Sequence, residues 1–169
     1  MTQKIRIAGI VNDSITDGPG LRLAIFTQGC LHCCEGCHNQ HSWDVNGGYE
    51  ISIEELKQKV LNNPLLSGVT LSGGEPMLQA KVLLPFAQFL KENNIDLIIY
   101  SGYTFEEVIA NSDFKKLLEY ASILVDGKFE INNRSLELKF KGSSNQRVIN
   151  IQKSLESNRV VLKTDDKWV

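Results

Sequence analysis

Cys30, Cys34 and Cys37 lie in the stretch GCLHCCEGCHNQ with the spacing C-x3-C-x2-C. Thiolate sulfur is the ligand of choice for iron–sulfur clusters. Three thiolates on one short loop, with no fourth ligand at a matching distance, suit a cluster that keeps one iron open for chemistry. Structural zinc is the competing use, because Cys33, His32, His38 and His41 could complete a tetrahedral set. The spacing fits no common zinc module. Cys33 reads as a bystander thiol, and His32 and His41 read as solvated loop residues.

These thiols need a framework. Lys4 to Val11 and Leu21 to Thr27 read as strands, joined through the turn Thr16-Asp17-Gly18-Pro19-Gly20. The cysteine loop follows the second strand and runs to about Gly48. Ser52 and Glu55 have the spacing of a capping box, and Ile53, Leu56 and Val60 share one face, so Ser52 to Leu61 reads as a helix. Val69 to Ser72 is a short apolar strand ending in Gly73-Gly74-Glu75-Pro76. A helix over Gln79 to Glu92 carries Pro85 as a kink or a new first turn. Ile95 to Tyr100 is a strand. Thr104 and Glu107 open another helix with a break near Asn111 to Asp113. Strands follow at Ile123 to Val125 and Arg147 to Ile151.

Alternating strands and helices imply βαβ units and a largely parallel sheet. Such sheets place their chemistry at the carboxyl ends of the strands. The cysteine loop, the Gly-Gly-Glu-Pro turn, Ser101-Gly102-Tyr103 and Asp126-Gly127-Lys128 all follow strands and should share one rim. A closed eight-stranded barrel typically needs about 250 residues. This chain has 169, so an incomplete, open barrel is expected.

Composition fits one ordinary globular domain over 1–169, with 42% hydrophobic and 22% charged residues. A net charge of −2 and scattered basic residues give no sign of a nucleic-acid or membrane-surface partner. No apolar run approaches the roughly 20 residues needed to cross a bilayer. The first residues lack the apolar core of a secretory signal. A cytoplasmic location is expected, where reducing conditions disfavour disulfides as the use of four cysteines.

The cysteine motif followed by Ser72-Gly73-Gly74-Glu75-Pro76 resembles the radical S-adenosylmethionine enzymes. A closer resemblance rests on Asp17-Gly18-Pro19-Gly20-x-Arg22, Gly29-Cys30, Gly36-Cys37-His38-Asn39, Leu124 to Phe129 and Gly142 to Arg147. These are similar to the activating proteins of anaerobic ribonucleoside-triphosphate reductase, from about residue 5 to about residue 150. Pyruvate formate-lyase activating enzymes share the first motifs but are longer. Many superfamily members place an aromatic residue just before the third cysteine, where this chain has Gly36.

The resemblance implies an α/β fold, an incomplete, open (β/α)6-type partial TIM barrel. It implies one 4Fe-4S cluster on Cys30, Cys34 and Cys37, with S-adenosylmethionine on the fourth iron. Reductive cleavage would yield methionine and a 5′-deoxyadenosyl radical. The radical would take hydrogen from a glycine on a loop of the reductase large subunit, leaving a glycyl radical there. The cofactors carry the hard step, so no protein acid–base pair or nucleophile is required.

By the same resemblance Gly73 and Gly74 would bind the methionine part. Glu75 would orient the loop or face the ammonium group, and Gly36, Cys37 and His38 would lie near the adenosine. Asp126 and Lys128 are further candidate contacts. The Asp17 to Gly20 segment reads as a turn, with Arg22 near the cofactor or partner. Gly142 to Arg147 is either a polar surface turn or a partner contact. A flavodoxin-type electron donor, and a homodimer or a heterotetramer with the reductase, fit the family. The rival functions are a radical enzyme acting on another glycyl-radical partner or on a small molecule, in the manner of 7-carboxy-7-deazaguanine synthase, and a non-enzymatic zinc module.

Overall fold

The computed structural model describes residues 2–168; the two terminal residues of the expected 1–169 domain lie outside them. Seven strands form one sheet: β1 (Lys4–Ser14), β2 (Arg22–Thr27), β3 (Tyr49–Ser52), β4 (Gly68–Gly73), β5 (Asp96–Tyr100), β6 (Ile123–Asp126) and β7 (Arg147–Asn150). Their spatial order is β3-β1-β2-β4-β5-β6-β7. The central four, β2, β4, β5 and β6, are parallel. β1, β3 and β7 pair antiparallel at the two sides. The fold is mixed α/β, with fewer parallel strands than a (β/α)6 repeat would carry.

Local chemistry sets the helices. α1 (Ile53–Leu61) begins at a complete capping box between Ser52 and Glu55. α3 (Phe105–Ala110) does the same with Thr104 and Glu107. The expected break falls at Asn111, which ends α3 and caps α4 (Ser112–Leu118) with its side chain. α2 (Ala80–Glu92) runs through Pro85. That proline sits near the helix start and forfeits one bond, the one its N–H would make to the Lys81 carbonyl.

β3 was not foreseen, because Tyr49-Glu50-Ile51-Ser52 is only four residues long and half exposed. Its register against β1 supplies what its sequence lacks.

Alternation along β5 and β6 separates two cores. Leu97, Ile99 and Leu124 face the helices, together with Leu83, Phe86 and Leu117. Ile98, Ile123 and Val125 face the other way, against Val148 and Trp168. The central strands are thus buried on both faces, as parallel strands must be. The tail, which carries no sequence motif, contributes α5 (Ile151–Ser157) and returns along β7, with Asn150 N–H bonded to Val161 and Lys163 N–H to Val148. Among the described residues, no helix is long and apolar enough to cross a membrane.

Candidate metal centre at the carboxyl edge

The loops after β2, β4, β5 and β6 meet around one cavity. Cys30, Cys34, Cys37 and His38 line it from the first loop, Gly73 and Gly74 from the second, Ser101 and Gly102 from the third, and Gly127 and Phe129 from the fourth. The shared rim expected from the strand order is therefore present.

The cysteine loop is tied at its base. Gly29 N–H bonds to Ser42 O at 2.7 Å and Cys30 N–H to Trp43 O at 3.1 Å. The buried Gln28 amide donates to His41 O and Asp44 O, closing the loop from inside. Nothing in the local sequence of Gln28 signals this role, since its partners are 13 and 16 residues away.

The glycine turn is laced to the same base. Gly74 N–H bonds to Thr27 O at 2.8 Å and Glu75 N–H to Gly29 O at 2.7 Å. A Cβ on Gly73, whose φ is +92°, would sit 2.5 Å from the Phe26 backbone, and one on Gly74 would sit 2.5 Å from Gly29 O. Both glycines are required by the close approach of two strand ends, a reason the sequence did not disclose.

Asn39 N–H reaches Cys37 Sγ at 3.4 Å. Burial pushes the Cys30 thiol up to about 11, opposed by the His32 N–H and aided by the nearby Glu75 charge. Burial also raises Cys34, opposed by the Phe129 N–H and the Lys128 charge. A half-buried sulfur that accepts a backbone N–H bond, as Cys37 does, is suited to be a metal-bound thiolate, because such a bond favours the charged form. Among the described residues, no group of three or more His, Cys, Asp or Glu side chains is placed around a single ion.

Glu75 is 1% exposed and stands behind the cavity wall. Its Oε1 accepts from Met77 N–H (3.0 Å) and Ser101 Oγ–H (2.9 Å). Its Oε2 accepts from Gly102 N–H (2.8 Å) and His32 Nε2 (2.7 Å). Of the two roles expected for Glu75, this geometry matches loop orientation. Gly36 also stands off the wall, packed against Ile131.

Four expectations change. His32 is not a solvated loop residue: its side chain is 8% exposed and bonded to Glu75. Asp126 is turned away from the cavity, accepting from Phe105 N–H at 2.7 Å and from Arg147 Nε at 3.0 Å. Arg22 lies at the amino end of β2, opposite the cysteines, and bonds Thr70, Val69 O and Asp96. Gly142 to Arg147 is neither a plain surface turn nor free for a partner throughout. Gln146 accepts from Gly142 and Ser143 N–H and donates to Gly127 O, while Arg147 clamps Asp126 and Glu106.

Of the other residues singled out, His41 is exposed, as a solvated loop residue should be, and Cys33 is exposed too. His38 holds an edge contact with Phe129, ring centroids 5.6 Å apart.

Three thiols, a glycine turn and a half-open cavity at the ends of parallel strands define a protein built around one iron–sulfur cluster. Residues 16–149 accordingly match the family described as a 4Fe-4S single cluster domain. The chain is 35% identical over 143 residues to the anaerobic ribonucleoside-triphosphate reductase-activating protein of Pasteurella multocida, covering 78% of this chain and 89% of that one. The corresponding protein of Enterobacteria phage T4 is 31% identical over 138 residues, covering 78% and 85%. The pyruvate formate-lyase-activating enzyme of Clostridium pasteurianum is 37% identical over 131 residues, covering 72% of this chain and 55% of its own length. Among solved structures, QueE from Escherichia coli overlaps with a TM-score of 0.49 at 18% identity, covering 73% of this chain and 71% of that one. The chain belongs to the family of anaerobic ribonucleoside-triphosphate reductase-activating proteins, and it is an enzyme.

Proposed function

We propose that the protein is a radical S-adenosylmethionine activase that installs a glycyl radical on anaerobic ribonucleoside-triphosphate reductase. The observation that carries this reading is the meeting of three thiols and a glycine turn on one cavity at the carboxyl edge. Cys30, Cys34 and Cys37 would hold three irons of one 4Fe-4S cluster and leave the fourth to S-adenosylmethionine. A reduced cluster held there would supply the electron for reductive cleavage of S-adenosylmethionine to methionine and the radical that takes a hydrogen atom from the partner's glycine.

The chain's own residues bind, orient and exclude water. Gly73 and Gly74 would present backbone to the methionine part. His38, held by Phe129, would flank the adenosine with Cys37. Glu75 fixes the turn that carries the glycines. We read the sheet as a short, open partial barrel within one domain over 1–169, its unclosed side admitting a partner loop. The work is assigned to the cytoplasm, with a small redox protein such as a flavodoxin as donor.

Anaerobic reconstitution should give a brown protein with about four irons per chain. With reductant, S-adenosylmethionine and the reductase it should then give a glycyl doublet in electron spin resonance. A protein that stays colourless overturns the reading. A doublet on pyruvate formate-lyase but not on the reductase would favour the second activity suggested by the Clostridium pasteurianum relative.

A further inference from the structure

His32 sits between the first two thiols, and three different groups grip its ring. Nε2 lies 2.7 Å from Glu75 Oε2. Tyr103 meets the ring edge-on, with centroids 4.6 Å apart and planes at 73°. Gly102 lies against it so closely that a Cβ there would fall 2.4 Å from His32 Cδ2. Around it, Leu31, Cys33, Glu35 and Gly36 are all exposed. His32 is the deep anchor of an otherwise outward-facing segment.

Its acceptor is equally fixed. The other three donors to Glu75 come from the turn after β4 and the loop after β5. Among the described residues, only His32 brings the cysteine loop to this carboxylate. An Nε2–H is the donor that an ionised carboxylate at this distance would accept from. Removing the ring would leave a buried carboxylate oxygen short of one donor. One residue therefore ties the segment between Cys30 and Cys34 to the buried carboxylate.

We propose that His32 is a positioning residue: its bond to Glu75 locks the cysteine loop onto the glycine turn and so sets where the cluster sits and how firmly it is held. The proposal rests on the assignment of the cluster to Cys30, Cys34 and Cys37 made above. Groups that orient the ligands of a metal typically change its affinity by about 10–100-fold when removed.

The test compares wild type with His32→Ala and His32→Gln. The glutamine amide offers an N–H donor at a reach similar to Nε2. After anaerobic reconstitution, H32A should release iron to a ferrous chelator about tenfold faster than wild type, with a shifted reduction potential, and H32Q should recover most of both. In the metal-free chains, Cys30 should be alkylated faster in H32A than in wild type or H32Q. If H32A does not fold, H32N takes its place, since its shorter amide stops short of Glu75. Wild-type iron release and potential in H32A, or an H32Q no better than H32A, would overturn the clamp. A wild-type chain that takes up no iron would overturn the cluster assignment instead, and the alkylation comparison would still judge the clamp.

Discussion

At the amino ends of the parallel strands, Arg22 is 2% exposed and Asp96 faces it at 2.8 Å. Arg22 also donates to Thr70 Oγ1 and Val69 O, both at 2.9 Å. At the carboxyl ends, Glu75 is 1% exposed and accepts four donors. Both charges are buried and hydrogen-bonded, as buried charges must be. Their partners differ in kind. Arg22 joins β2, β4 and β5 to one another, whereas Glu75 joins the loops that leave β4 and β5 to the cysteine loop. One end of the sheet fixes strands, and the other fixes the loops that surround a site.

That contrast can be broken by experiment. The largest effect is expected from Cys30→Ala, Cys34→Ala or Cys37→Ala, each of which should abolish the four-iron signal and S-adenosylmethionine cleavage. Cys33→Ser should keep both, as measured by iron content and 5′-deoxyadenosine formed.

Arg22→Met should cost about 2 kcal/mol in chemical denaturation, because it takes a donor from the buried Thr70 Oγ1 and Val69 O. Iron bound per folded chain should stay at the wild-type level. A cluster spectrum that changes more than stability does would show that the two ends are not separable.

Gly74→Ala should cost about 2 kcal/mol, because its Cβ would strike Gly29 O and push two strand ends apart. It should also lower iron uptake, since Gly29 leads into Cys30. Gly9→Ala meets nothing within 4 Å and should be neutral to slightly stabilising, a matched control in the same sheet.

The smallest effect concerns Glu106, which its hydrogen bonds to Arg147 hold below the ordinary 4.5. A depressed carboxylate contributes its full stability above its ordinary value and loses it as pH falls through the lowered one. Both pairing groups are partly solvated, so the contribution is about 0.5 kcal/mol. Thermal melts should show Glu106→Gln below wild type at pH 6, with the gap closing as the pH drops well under 4.5.

Much of the framework was legible because its signals are local. Ser52 with Glu55 and Thr104 with Glu107 announced helix starts that both carry full capping boxes. The order of strands placed four loops on one rim, and the cysteine spacing named the metal chemistry. What escaped detection depends on distant partners. β3 exists through its pairing with β1. His32 meets a carboxylate 43 residues away, and Arg147 reaches Asp126 over 21 and Glu106 over 41. Asp126 looked like a cofactor contact because it ends a strand, but the donors that claim it, the Phe105 N–H and the Arg147 guanidinium, lie on α3 and β7.

The sequence alone determined that three closely spaced thiols follow a strand and that glycines end the next one in the parallel set, because such signals need no more than neighbouring residues. Only the tertiary structure decided which polar side chains face the cavity and which hold its walls. A buried carboxylate is defined by the donors that surround it, and those arrive from elements the chain brings together only on folding.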